Sequence, residues 1–473
     1  MTGTVVNSTE TRPVTRELAH FAAQFRYEDL PAPVIAMAKH AVLDSIGCGI
    51  YGSATPWANA VLNTVSLFGQ AQTASVWGHP VKVDPLGAAL VNGTAAQGYE
   101  LDDCHDQSMS HYGAGVVPAV LAVAEAFGPF DGRQVIAALV AGYEVGTRVG
   151  NTVSPSAFHR GFHPCGLTST FGAAAAIAKL LDLDTEQYVN ALGLAGSQAA
   201  GLMAAQFGAM AKRFHSGKAA MNGIIAAFAA REGLTGVRDV LEAPYGGFCS
   251  SYASEYDLDY ATNDLGQHWE ILRNGFKQYS SLASSQTSVD ALRAIRAASN
   301  VAPEDVESVL VETTEMVYVH CGWPYVPNGE TITAQMNLPY TAAVTLIDGT
   351  AFIDGYTDER LTDPQVLALA DRVKVVIAPD LDALGKDEMR AVRVTLTTRS
   401  GDTHRESVTY RSGHWKNPIS EADLSAKFHN LATRVIGDDA ARSIEQIVRD
   451  LENRANPVGD LTAHLHAAVT RES

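Results

Sequence analysis

The sequence predicts a mainly α protein: a large all-helical domain built from both ends of the chain, residues 1–274 and 413–473, with a smaller α+β lid domain at residues 275–412. Three observations carry this prediction. Apolar stripes of helical period follow one another from about residue 14 to about residue 270, with no competing alternation. Near Lys277 the texture changes to short β-branched runs separated by turns. After Asn417-Pro418 it returns to helical period, and such a segment would pack back on the first domain.

The elements follow in order. Val34, Ile35, Met37, Ala38, Ala41, Val42 and Ile46 line one side of a helix over residues 31–50. Residues 116–127 and 172–181 are Ala-rich and apolar, and Ala and Gly at 171–178 and 195–201 permit close helix approach. Asp184 and Gln187 form a capping box at the start of another helix. In the lid, residues 309–313 and 373–378 read as strands. Val392, Val394 and Leu396 alternate toward a turn at Ser400-Gly401-Asp402, and a second strand over 407–410 completes a hairpin. Helices are expected at 288–298, 339–347 and 364–371, the last with Asp363 as cap and Pro364 in its first turn. Residues 422–435 and 438–452 are helical again.

Composition narrows the function. Hydrophobic residues make up 46% and charged residues 18% of 473, enough for more than one packed core. A net charge of −18 opposes binding to nucleic acid or anionic membranes, since both need a positive footprint. No run of unbroken apolar residues reaches membrane-spanning length, and the polar N-terminal segment, without an apolar signal core, reads as a floppy leader on a cytoplasmic protein. The five cysteines (Cys48, Cys104, Cys165, Cys249, Cys321) are widely spaced, and neither a metal site nor a disulfide framework is expected of them. If the ligand is an anion, its positive partners must be concentrated locally.

Three stretches offer that concentration together with titratable groups at expected helix starts. The first runs from Glu100, Asp102, Asp103 and His105 to His111 and Gly113. The second is Gly161-Phe162-His163-Pro164-Cys165-Gly166. The third, Lys212-Arg213-Phe214-His215-Ser216-Gly217-Lys218, is expected to precede an Ala-rich helix. Helix N-termini present unpaired N–H groups and partial positive charge, so they attract carboxylates, and Lys212, Arg213 and Lys218 add full charges. Each stretch also has a plainer use: Asp102 and Asp103 as caps, His163 as a packed loop residue, the lysines as a solvated face.

The segments YELDDCHDQSMSH, GFHPCGLTSTFGAAAAIAKLL, KRFHSGKAAMNG, PYGGF, LPYTAAVTLIDG and YTDERLTDPQV resemble the MmgE/PrpD family in order and spacing, over nearly the whole chain. That family includes 2-methylcitrate dehydratases, cis-aconitate decarboxylases and an iminodisuccinate epimerase. The resemblance implies the helical-domain-plus-lid fold, a homodimer, and an active site between the domains. It assigns the acidic motif to Glu100, Asp102 and Asp103, its histidine to His111, and further positions to His163, Lys212 and Lys277. Two departures stand out: Tyr112 where relatives often continue His-Pro-Gly or His-Pro-Ser-Gly, and Lys277-Gln278-Tyr279-Ser280, then Gln286, where many read Lys-Pro-Tyr-Pro and a histidine. The wording lies nearer the fungal-type cis-aconitate decarboxylases than the methylcitrate dehydratases.

The expected activity is that of a lyase removing CO2 or water from a small di- or tricarboxylate. His111 and His163 would act as acid and base, with Asp102 orienting an imidazole. Glu100, Asp103, Lys212, Arg213 and Lys277 would line the substrate site. The scheme calls for no metal and no cofactor. The alternatives are an epimerase of a dicarboxylate such as iminodisuccinate, working by the same proton abstraction, and a non-catalytic helical scaffold.

Overall fold

Acidic caps start many of the helices. Asp84, Asp131 and Asp184 each precede a helix and accept N–H bonds from its first turn. Asp131 with Gln134, and Asp184 with Gln187, close reciprocal capping boxes. The computed structural model describes residues 12–68, 71–327 and 329–465; residues 1–11 of the polar leader lie outside them. The protein is mainly α, with a few small sheets.

Apolar residues gather into two principal cores. One draws on residues from Val14 to Ile271 and again from Phe428 to Leu465; the other on residues from Tyr279 to Leu396. The helix Glu421–Ile436 joins the first core through Phe428, Ala432 and Ile436. Ala32–Gly52 has the length and mean hydropathy (1.2) of a membrane span, and 67% of its most apolar stretch is buried within the protein.

Small residues let the helices of the first core approach closely. A Cβ on Gly217 would fall 2.1 Å from the Leu90 carbonyl oxygen, so any larger residue must separate Pro85–Ala96 from Ala211–Arg231. Gly142 and Gly172 likewise face each other between Gly132–Val153 and Pro164–Leu180. These contacts hold in place two helices that carry candidate residues, Pro164–Leu180 and Ala211–Arg231.

The second core packs helices against a four-stranded sheet in the order Val373–Ile377, Val306–Thr313, Val392–Thr398, Thr403–Val408. The first pair is parallel and the others antiparallel, with Val309 opposite Leu396 and Val311 opposite Val394. Val392, Val394 and Leu396 are buried, as their alternation requires.

Four details differ from the sequence expectation, one of them the second hairpin strand, which runs Thr403–Val408 rather than over 407–410. The first region is not free of strand: Ala74–Ser75 pairs with Lys82–Val83, and Cys104–His105 with Asn274–Gly275. Two-residue strands are too short to leave an alternating pattern. The KRFHSGK run lies inside the helix Ala211–Arg231 rather than before it. The helix expected at 288 begins at Ala283, because Ser285 bonds back to the Leu282 carbonyl and lets a serine-rich turn remain helical.

Candidate active site

The acidic motif leaves the helix Pro85–Ala96 and crosses the interior as a loop before Gly113–Phe127 begins. Glu100 and Met109 both adopt left-handed backbone conformations (φ 55° and 53°) that cost a non-glycine residue energy, and such strain gathers at functional sites. At Glu100 the carboxylate is turned onto two lysines. Its Oε1 accepts from Lys212 Nζ at 2.6 Å, and its Oε2 lies 3.5 Å from Lys277 Nζ. Burial pushes the Glu100 carboxyl up, but Lys212, Lys277 and Arg213 outweigh it and hold the group below the usual carboxylate range.

Lys277 is fully buried and also lies 3.2 Å from Asp102 Oδ1. Burial works against its charge, while Asp102 and Glu100 more than restore it and raise its pKa. Asp102 Oδ2 has no hydrogen-bond partner among the described residues and stands 3.6 Å from His111 Nδ1. That same nitrogen contacts the Asp103 carbonyl oxygen. A carbonyl can only accept, so Nδ1 carries the hydrogen and Nε2 keeps the lone pair. Asp103 is a brace. Its carboxylate takes the Gly113 N–H at 3.0 Å, the Tyr143 hydroxyl at 2.6 Å and Asn274 Nδ2 at 2.8 Å, and burial pushes it up to about 7.

His163 is the N-cap of Pro164–Leu180, and its Nδ1 lies 2.9 Å from His215 Nδ1. Burial, then Lys212 and His215, hold His163 well below the ordinary histidine value. Burial, then Lys277, lowers His111 to about 4. Both rings are therefore neutral at pH 7.

His111, His163, Glu100 and Lys212 line one buried cavity with Cys104, Phe158, Met203, Leu282, His320, Met336 and Arg390. It measures about 40 Å³, room for about three waters. A larger cleft of about 500 Å³ opens elsewhere on the surface beside Arg160, Tyr256 and Lys386, and His111, His163 and Lys212 do not line it. Asp102, Asp103, Lys277 and Arg213 stand behind the wall of the small cavity. Arg213 donates to the Gly98 carbonyl and to Gln335 Oε1, and stacks 4.1 Å over the Trp57 ring, tying three segments together. Among the described residues no three His, Cys, Asp or Glu side chains converge to hold a metal, and the cysteines are free and buried.

Residues 16–261 match the family model of the MmgE/PrpD N-terminal domain, and residues 279–453 that of the MmgE/PrpD C-terminal domain. The chain belongs to the MmgE/PrpD family. It is 31% identical to a cis-aconitate decarboxylase-like protein of Aspergillus oryzae, over 97% of this chain and 98% of that one. It is 30% identical to a cis-aconitate decarboxylase of Aspergillus terreus, over 99% of both chains, and 28% identical to the human cis-aconitate decarboxylase, over 93% and 92%.

Within this MmgE/PrpD chain the two departures turn inward. The Tyr112 hydroxyl donates to the Gly146 carbonyl, and Gln286 donates to the carbonyls of Tyr279 and Ser281. Neither lines the cavity. Sequence reasoning missed His320 and Arg390. His320 ends the helix Glu315–Cys321 beside Ser284 Oγ (3.0 Å) and edge-on to Phe158, and burial, then Arg390, lowers it to about 3. His320 stands alone in an apolar run, and Arg390 ends the charged stretch Lys386-Asp387-Glu388-Met389-Arg390, which reads as a solvated turn. The available signal was a histidine and an arginine at the ends of otherwise ordinary elements.

Proposed function

We propose that the protein is a lyase that removes CO2 from a small unsaturated polycarboxylate, with cis-aconitate the first candidate. The observation that carries this reading is the shared cavity in which His111 and His163 meet Lys212 among Phe158, Met203, Leu282 and Met336. The names of the Aspergillus and human relatives, aligned over more than nine-tenths of this chain, support the same reaction.

A cationic side chain holds carboxylate, while the apolar surround strips water from the carboxylate that departs. The carbon–carboxylate bond breaks, its electron pair passes into the conjugated carboxylate that remains, and an imidazolium returns one proton to carbon as CO2 leaves. A polyanion beside Lys212 counters the cationic repulsion that helps keep the histidines neutral, which lets one imidazole take up that proton. Asp102, held by Lys277, stabilises His111 in its charged form. The cavity is too small for a tricarboxylate as it stands, so binding requires its walls to part. Leu282, His320, Met336 and Arg390 come from the second unit, and closure of that unit as a lid would then exclude water.

Purified protein should release CO2 from cis-aconitate and leave citrate and 2-methylcitrate unchanged. A new C=C absorbance from the hydroxy acids without CO2 would make it a dehydratase. Exchange of C–H hydrogen with solvent in an amino- or iminodicarboxylate, with no bond broken, would make it an epimerase. Absence of any proton exchange would leave the scaffold reading.

A further inference from the structure

We infer that Arg390 is a substrate-binding residue, the anchor for a carboxylate that stays on the substrate, and that Asp106 is the positioning residue that orients it. The inference rests on the polycarboxylate reading above and names a contact that reading leaves open. Arg390 lines the cavity from the second unit, just before the strand Val392–Thr398, and is only 7% exposed. Its Nη1 bonds to Asp106 Oδ1, which belongs to the loop after Cys104–His105. Asp106 Oδ2 is taken separately, by Arg411 Nη2 at 3.3 Å and His414 Nε2 at 3.2 Å. Burial raises the Asp106 carboxyl, but Arg390, Arg411 and His414 outweigh it and hold it ionised.

Two guanidinium groups therefore share the Asp106 carboxylate, with Asp290 a further acidic neighbour of Arg411, so Arg390 has only a shared counter-charge. Lys212, by comparison, pairs with Glu100, and Lys277 with Glu100 and Asp102, while Arg213 is spent on the Gly98 carbonyl, Gln335 and the Trp57 ring. The unused donors of Arg390 also lie on one edge. With Nη1 occupied, Nε has no partner among the described residues, and no bond is formed by Nη2 among them either. The Nε–Nη2 edge of a guanidinium is a planar fork that matches a carboxylate bidentately. A buried charged donor without a partner is costly, and a carboxylate on that edge would offset the cost. Because Asp106 comes from the first core and Arg390 from the second, an anchored substrate also ties the two walls together.

The test uses tricarballylate, a saturated tricarboxylate that cannot form the product, in calorimetric binding to the full-length protein, alongside cis-aconitate kinetics. Arg390→Gln should weaken tricarballylate by about 10- to 100-fold and raise KM for cis-aconitate by a similar factor. Arg390→Lys, which keeps the charge but loses the fork, should recover part of the binding and guards against a folding artefact. Asp106→Asn should raise KM while leaving kcat within about threefold, and Asp106→Asn with Arg390→Gln should bind no worse than Arg390→Gln alone, because the two residues act as one unit. A folded Arg390→Gln that binds tricarballylate as the parent does overturns the inference even if the parent releases CO2. A parent that binds tricarballylate through Arg390 but transforms none of the acids supports it while removing the proposed reaction. A parent that binds no tricarballylate removes the anchor.

Discussion

The two walls of the cavity follow different electrostatic plans. The wall from the first core, reached by Lys277 from the start of the second unit, is a closed circuit in which Lys212, Glu100, Lys277, Asp102 and His111 pair in succession. The wall from the second unit is open, with Arg390 holding an unused edge and His320 kept neutral by burial and by Arg390. A closed circuit fixes geometry and moves protons without rearranging. An open cation waits for an anion. The difference suggests a division of labour, with chemistry on the helical wall and capture on the other.

Three sets of variants test that division, beginning with the largest expected effect. His111→Asn and His163→Asn should each lower kcat by about 10²- to 10⁴-fold, the range of general acid–base catalysis, while the unfolding midpoint moves little. A variant that keeps near-parental kcat removes its histidine from the chemistry.

Lys277→Met should cost about 3–5 kcal/mol of stability in denaturant unfolding, because it leaves Asp102 buried without a cation and Glu100 with Lys212 alone. Lys277→Met combined with Asp102→Asn should regain part of that loss. A neutral outcome for the single change would mean that the circuit is not closed in solution.

The smallest effect concerns pH. His320 is lowered from its unfolded value to about 3, so it favours folding above pH 6.5, and this stability is lost as pH falls toward 3. Each such histidine contributes a slope of up to about 1.4 kcal/mol per pH unit inside its window. Asp103 and Glu144, raised to about 7 by burial, act in the opposite sense: their contribution fades as pH rises toward 7. The comparison is therefore between the parent and His320→Gln, whose stability should fall less steeply from pH 6 to pH 4. Parallel curves would show that His320 titrates freely.

How much of this was legible in sequence follows the same line. The helical wall was readable because its residues are contiguous and local: a capping aspartate, a histidine before a proline at a helix start, an acidic run ended by glycine. The caps at Asp184 and Asp363 and the alternation of Val392, Val394 and Leu396 need only neighbours to act. The second wall was not readable, because His320, Met336 and Arg390 meet the helical wall only through tertiary packing. Spacing could not reveal that Lys277 and Asp103 face inward from behind the cavity, nor that Arg213 spends its charge on Gly98, Gln335 and Trp57. Adjacent helix positions point about 100° apart, so Lys212 and Arg213 have different partners despite their shared motif.

The central claim is that the helical wall delivers one proton to carbon as the substrate loses CO2, and turnover of cis-aconitate in D2O tests it most directly. The account predicts one CO2 per product molecule and a single deuteron on one carbon, placed on one face, with both signals lost together in His111→Asn or His163→Asn. Deuterium entering unreacted acid without CO2, or CO2 release with deuterium on both faces, would contradict it.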